Sequence, residues 1–516
     1  MGGGSPSIHS LWTKTWDYRD SVRGMETRLA EAVLKRIAGG YCPDGRLSVD
    51  RRRFISNMVA GIAGPFAGVA CAGVRGGAEP VPGYGPLRPV KDLRDGKVRL
   101  HLPDGFKYRS FSVAGDKYDD GSTVPGRHDG MAAFSGPKGS AVLIRNHEVN
   151  GPVGAFGDKD KAYDPMAGGG TSTLRVTRYG EVITSAPSLT GTMMNCSGGP
   201  MAWRAWVSCE ETVNGPDVGD DFSGGDNSKL TRKHGYIFEV PIGRAASARP
   251  IKAAGRFPHE SAAFDPSSGA IYLTEDNFGF PSGFYRYLPP KHPILAGRLL
   301  DGGRLQMLAV KGAERKDLSE GQEPGAAYAA TWVDIDDPDP EFKGRPSNDA
   351  AVQAVGKQGR RKGAAIFSRL EGAVHHQGTI YFVSTQGGAT ASGDTAPDGF
   401  GQGRGQVWAY ETWSGRLKLA YESPRASVLD LPDNVTASRR GTLVLCEDGD
   451  GDNYLRGLSK AGQIFDFCRL QPIPDDAGAE FAGSTFGPGG HTLYVNVQAR
   501  QGMSIAIWGP WERGPF

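Results

Sequence analysis

Acidic and amide side chains recur in this sequence at the ends of six short apolar runs. The runs span 140–149, 204–211, 269–276, 378–387, 441–448 and 491–498. Their polar ends are Glu148, Glu210 with Glu211, Glu275 with Asp276, Gln386, Glu447 with Asp448, and Gln498. About ten residues upstream of each run, in what reads as a loop, lies a second polar group: Asn195–Cys196, His259–Glu260, Glu371–Gly372, Asp433–Asn434 and Glu480–Phe481. Before the first run the equivalent is only His128–Asp129. Carboxylates brought to one axis repel one another unless cations sit among them, so this pattern suits hard metal ions. Cys196 differs from the other polar positions. A thiolate among carboxylates favours a borderline or redox metal over calcium alone. On spacing alone, a disulfide half or a buried thiol fits Cys196 equally well.

The elements that must position these residues are strands. Each run is rich in β-branched and aromatic residues and most follow turn formers, as in Asp265–Gly269 and Gly487–Gly490. Self-similarity at intervals of about 50–65 residues, with several strands per unit, predicts an all-β fold, a six-bladed β-propeller with inserted loops, preceded by an export signal. In such a fold the polar groups collect at one end of the central channel. Further strands opened by glycine are expected at 235–241, 283–289, 405–411 and 462–468. The long interval between Asp276 and Gly378, with its basic Gly-rich stretches, reads as an insertion on one blade. Of 516 residues, 76 are Gly and 35 are Pro, too many for long helices. A net charge of +2 supplies no global field for nucleic acid, and no apolar run is long enough for a spanning helix in the mature chain. A monomer is expected.

The N-terminus reads as an address. Arg51, Arg52 and Phe54 precede a mildly apolar stretch from Met58 to Ala72, the pattern of a twin-arginine signal. The expected division is 1–45 as an extension or a mis-called start, 46–72 as the signal, 73–94 as a linker and 95–516 as the propeller. Export through the twin-arginine machinery implies a periplasmic or secreted protein that folds, with its metal, beforehand. Gly68–Cys71 resembles a lipoprotein site only weakly. Export would permit two disulfides among Cys196, Cys209, Cys446 and Cys468, although Cys209 and Cys446 also suit small core positions.

Nine phrases, in order from about residue 95 to the C-terminus, resemble the PhoX-type alkaline phosphatases. They are Arg145–Glu148, Asn195–Gly199, Cys209–Glu211, Gly255–Glu260, Thr274–Asp276, Arg369–Gly372, Pro432–Asn434, Cys446–Gly449 and Glu480–Gly483. The resemblance implies a six-bladed propeller that hydrolyses phosphate monoesters with two ferric ions and calcium. It implies Cys196 as the thiolate between the irons, Glu211, Glu260 and Glu371 as metal ligands, and Arg369 as a contact to phosphate. The remaining metal candidates are Glu148, Glu210, Glu275, Asp276, Asp433, Asn434, Glu447, Asp448 and Glu480; Cys196 and Arg369 are the catalytic candidates. The chain departs from the family at Pro200–Trp203 and at Leu370, which bears on substrate range more than on metal binding.

The chemistry is consistent with that resemblance. Phosphate-ester hydrolysis needs charge neutralised on the phosphate oxygens, a strong nucleophile and an anion clamp, which an arginine fork provides. No nucleophile elbow and no P-loop phrase occurs, so a metal-activated oxygen is the economical nucleophile. His147 and His259 precede acids and either ligate or pack behind them. Asp450 and Asp452 read as a calcium loop or as a solvated turn. Rival readings are a calcium-dependent propeller lactonase or arylesterase, and a calcium-stabilised binding platform. Neither needs the thiol. The export reading makes a direct prediction: exchanging Arg51 and Arg52 for Lys leaves the protein in the cytoplasm. Fractionation that finds the normal exported yield of this variant contradicts the signal.

Overall fold

The computed structural model describes residues 83–516, apart from residues 324, 474, 475 and 477. The expected N-terminal extension, the twin-arginine signal and residues 73–82 of the expected linker lie outside the described residues. The arrangement is all-β and propeller-like. All six apolar runs form strands: Ala141–His147, Ala205–Glu210, Ile271–Glu275, Thr379–Ser384, Leu443–Glu447 and Thr492–Gln498. Each pairs on one side with a strand that begins at the upstream polar group. These first strands are β1 (His128–Ser135), β2 (Asn195–Met201), β3 (His259–Phe264), β4 (Leu370–His376), β5 (Pro432–Ala437) and β6 (Glu480–Phe486). The polar groups expected in loops, Asn195–Cys196 among them, are therefore strand residues.

Strands β1 to β6 pack beside one another in cyclic order, and β6 returns to β1. Their approach is close enough to require glycine. A Cβ on Gly199 of β2 would lie 1.5 Å from the Ala262 carbonyl oxygen of β3, and one on Gly372 of β4 would lie 2.6 Å from the Val435 nitrogen of β5. Apolar side chains fill the spaces between sheets. Tyr108, Phe467, Phe481 and Ile505 form one such layer, and Phe257, Leu273, Tyr285 and Met307 another.

Sequence order and sheet order part company at three places. Lys107–Phe111, early in the chain, pairs with Met503–Trp508 and completes the sheet that begins with β6. Arg88–Lys91, inside the expected linker, pairs with Val98–Leu102, and that strand extends the β5 sheet. The long insertion supplies Ala327–Asp334, which pairs with Arg304–Val310 on one side and Arg416–Glu422 on the other. It joins the β3 and β4 sheets into one of nine strands. The insertion also carries two short helices, α1 (Asn348–Val352) and α2 (Ala354–Arg361). Of the strands expected after glycine, Ile464–Leu470 is the fourth of its sheet, because Tyr454–Leu458 precedes it. Among the described residues no helix is long and apolar enough to cross a membrane.

The packing of β2 on β3 generates a test. Gly199→Ala forces two backbones apart, and overpacking of this kind costs about 2–3 kcal/mol. Its thermal midpoint should fall by several degrees; an unchanged midpoint would show that the strands are not in this contact.

Candidate metal centre

A repeated irregularity aims the polar side chains inward. Each first strand carries one extra residue against its partner, so that two residues oppose one. In β2 the pairing passes from Asn195–Glu210 to Gly198–Ser208, and in β3 from His259–Glu275 to Ala262–Leu273. The same shift occurs in β1, β4, β5 and β6. Such a bulge bends the strand and redirects a side chain. The first residues of the bulges are Asp129, Cys196, Glu260, Glu371, Asp433 and, in β6, Gly483. A Cβ at Gly483 would meet the Asp129 carbonyl oxygen at 2.4 Å, so no acid fits there. Glu480, three residues earlier, supplies the carboxylate instead.

The bulges are pinned from the neighbouring sheet. Asn146 donates to the carbonyls of Cys196 and Ser197 at 3.1 and 2.6 Å. Thr274 donates to the Glu371 carbonyl at 2.6 Å, and Thr385 to that of Pro432 at 2.6 Å. Asn496 donates to the Asp129 carbonyl, and the Gly483 N–H donates to the Asn434 side chain.

Alternation along the second strands then sorts the acidic pairs, since adjacent side chains point to opposite faces. Glu211, Asp276 and Asp448 line a cavity of about 500 Å³ together with Asp129, Glu148, Cys196, Glu260, Arg369, Glu371, Asp433 and Glu480. Glu210, Glu275 and Glu447 turn the other way. Glu210 accepts from His234 at 2.6 Å and from the backbone N–H groups of Met193, Gly235 and Tyr236. Glu275 accepts from Tyr285 and the Gly283 N–H, and Glu447 from Arg456 and two backbone N–H groups. These three hold the next strand in place and do not reach the cavity. Asn434 is engaged between Asp433 and Gly483.

Two groups of donors lie close enough to share an ion. Cys196, Glu211 and Glu260 have ligand atoms within 4.8 Å of one another, as do Glu260, Glu371 and Asp433. Glu260 belongs to both. Burial, reinforced by Glu260 and Glu211, pushes the Cys196 thiol well above its usual range. Burial and the neighbouring Asp433 and Glu211 do the same to Glu260, while burial and Asp448 push Asp433 up to about 8. Asp129 Oδ1 and Glu480 Oε2 are buried and accept no hydrogen bond. Orphaned oxygens and mutually repelling carboxylates are what cations would satisfy, and this donor set fits them.

Two arginines meet the acids. Arg369 donates to Asp276 at 2.7 Å and to Glu371 at 2.9 Å, and its guanidinium lies 5.3 Å from the Phe278 ring centre. Its backbone is left-handed, at φ +37°. Arg127 holds the equivalent position before β1, also left-handed at φ +50°, and pairs with Glu148. Sequence reading passed over Arg127 and gave Asp129 no metal role, although Asp129 occupies the same place in its repeat as Cys196. It also missed α1, whose Asn348, Asp349 and Val352 reach the cavity from the insertion.

The histidines lie behind the acids. His147 contacts Ser172 and the Gly126 carbonyl, and His259 contacts the Gly255 carbonyl. Cys196, Cys209, Cys446 and Cys468 are all buried and free, so no disulfide joins them.

Known proteins bear on this geometry. A structure of Pseudomonas fluorescens PhoX in complex with vanadate, a transition state analogue, aligns over 85% of this chain and 98% of its own, at 17% identity and a TM-score of 0.58. A gluconolactonase from Xanthomonas campestris aligns over 85% of this chain and 100% of its own, at 12% identity and a TM-score of 0.32. Virginiamycin B lyase from Staphylococcus aureus aligns over 78% and 99%, at 12% identity and a TM-score of 0.33. No curated protein matches the sequence. The family model for alkaline phosphatase PhoX matches residues 83–188 and 181–500. With more than half of its length matched, this chain belongs to the PhoX alkaline phosphatase family.

Proposed function

We propose that the protein is an exported alkaline phosphatase that hydrolyses phosphate monoesters in a ferric and calcium centre at the axis of a six-bladed propeller. The cyclic packing of β1 to β6 supports the blade count. The observation that carries the function is the pair of donor clusters sharing Glu260, one with a thiol and one all-carboxylate, beside Arg369. A thiol suits iron, and an oxygen-only cluster suits calcium. A lactonase or platform held by calcium has no use for Cys196. That the Pseudomonas fluorescens protein binds vanadate, a transition state analogue, supports a phosphoryl-transfer reading of this chain.

Cys196, Glu211, Glu260, Glu371 and Asp433 would hold the ions, with Glu148, Asp129, Asp276, Asp448 and Glu480 completing the acidic wall. Bound there, the ions supply charge neutralisation for phosphate oxygens and acidify a water-derived nucleophile. Arg369 stands at the cavity wall with Nε and Nη2 held by Asp276 and Glu371, which fix its orientation and leave Nη1 for a phosphate oxygen. Arg127 offers a second cation near Glu148. Burial of the floor excludes bulk water and strengthens each of these interactions.

Four variants test the assignment. Cys196→Ala should lose iron and activity while keeping the fold; a wild-type protein free of iron and fully active would overturn the thiol ligand. Glu371→Gln should lower metal content and rate together. Arg369→Ala should keep its metals yet lose roughly 30- to 1000-fold in kcat/KM on an aryl phosphate, about 2–4 kcal/mol. Arg369→Lys should recover part of that loss, because an ammonium cannot fork.

The acid wall also sets a pH dependence. Without cations, Asp433 keeps its proton up to about pH 8, whereas the unfolded chain releases it near its ordinary value. The folded state then binds more protons between about pH 4 and 8, so stability of the chelated protein falls as pH rises through that window. Thermal melts in chelator should drop from pH 5 to pH 9 and recover when metal is returned. Equal midpoints at both pH values would contradict the clustering of acids.

A further inference from the structure

Apolar side chains surround the mouth of the acidic cavity. Phe222 and Phe278 both line it, and they remain 71% and 57% exposed. No other phenylalanine among the described residues is so open to water. Phe280 and Val352 stand at the same opening. Large exposed rings are costly in water unless something covers them, and grouped around a cleft they mark a binding surface.

Both rings are presented on fixed backbone. The turn that carries Phe222 is tied by Asp221, whose Oδ1 accepts from the N–H and hydroxyl of Ser223 at 2.8 Å and from the Gly225 N–H at 2.6 Å. Asn150 donates to the other oxygen of Asp221 at 3.0 Å. Phe278 follows directly on Asp276 and Asn277, and its carbonyl accepts from the Phe400 N–H at 2.7 Å. Its ring also faces the Arg369 guanidinium. The apolar surface is therefore set next to the anion clamp before any ligand arrives.

We propose that Phe222 and Phe278 determine specificity by gripping a planar aromatic leaving group. This rests on the phosphatase reading above, in which the phosphate enters toward Arg369 and the acids. The alcohol portion of the ester then extends toward the solvent side of the cavity, where the two exposed rings stand. A flat ring there gains stacking and burial, while a polyol would leave the phenylalanines wet. A cavity of about 500 Å³ has room for more than a phosphate ion. The ring can be an aryl group attached directly to the phosphate or a nucleobase one sugar further out.

The test uses the metal-loaded protein and its Phe222→Ala and Phe278→Leu variants. Hydrolysis of phenyl phosphate, adenosine monophosphate and glycerol 3-phosphate is measured, together with calorimetric binding of phenylphosphonate and methylphosphonate. Stacking on an aromatic partner corresponds to about threefold to tenfold in affinity. Phe222→Ala should lower kcat/KM for the ring-bearing esters by that factor, through KM, and leave glycerol 3-phosphate within about twofold. A loss confined to phenyl phosphate assigns the grip to aryl esters, and a loss confined to adenosine monophosphate assigns it to nucleobases. Phenylphosphonate should bind the wild type more tightly than methylphosphonate, with the preference reduced in both variants. Equal losses on all three esters, or no loss, overturn the proposal while leaving the phosphatase reading standing. A protein that hydrolyses none of the esters but keeps the phenylphosphonate preference defeats the phosphatase reading and leaves the aromatic grip intact. Absence of both defeats both.

Discussion

Carboxylates gathered in a dry funnel repel one another, and nearly every feature of the centre answers that repulsion. Asp129, Glu260, Glu371 and Asp433 come from four different strands, yet burial and mutual charge push all of their pKa values upward. Among the described residues, only Arg127 and Arg369 serve as local counter-charges on the cavity wall. Two guanidiniums against so many acids leave a deficit of positive charge, which multivalent cations are suited to fill. The surrounding hydrogen bonds fix backbone carbonyls and so place the acids without neutralising them.

The placement depends on one device used six times. A single extra residue at the start of each first strand turns one side chain toward the axis and lets the strand rejoin its partner in register. One position further along the partner strand, ordinary alternation adds a second acid. The two rules together explain why Glu211 faces the cavity and Glu210 does not, although the two are adjacent and chemically alike. They also explain the exception at Gly483, where the neighbouring backbone leaves no space for a side chain.

Much of this was legible in the sequence. The six β-branched runs and their polar ends gave strands, repeat length and the approximate axis of the site. What remained hidden was register. Glu210, Glu275 and Glu447 share composition and position with true cavity residues, and only strand pairing separates them. Asp129 sat in the correct repeat position but lacked the flanking phrase that drew notice to Cys196. The contribution of α1 was invisible for another reason: it arises from an insertion whose return to the cavity depends on long-range packing. Cys196, set in a Gly-rich phrase that reads as a loop, lies instead on a bulged strand whose glycines serve close backbone approach.

Closure of the ring has a consequence for how the centre is assembled. The sheet that begins with β6 is completed by Lys107–Phe111, a segment almost 400 residues earlier than its partner Met503–Trp508. Pairings so distant in the chain make for slow, late folding steps. Until they form, β6 and β1 need not be neighbours, and Glu480 and Asp129 need not share a wall. The electrostatic penalty of the funnel thus falls due at the end of folding. Ions present at that moment would lower the final barrier, so that metal supply during biogenesis would govern the yield of closed protein as well as its later turnover.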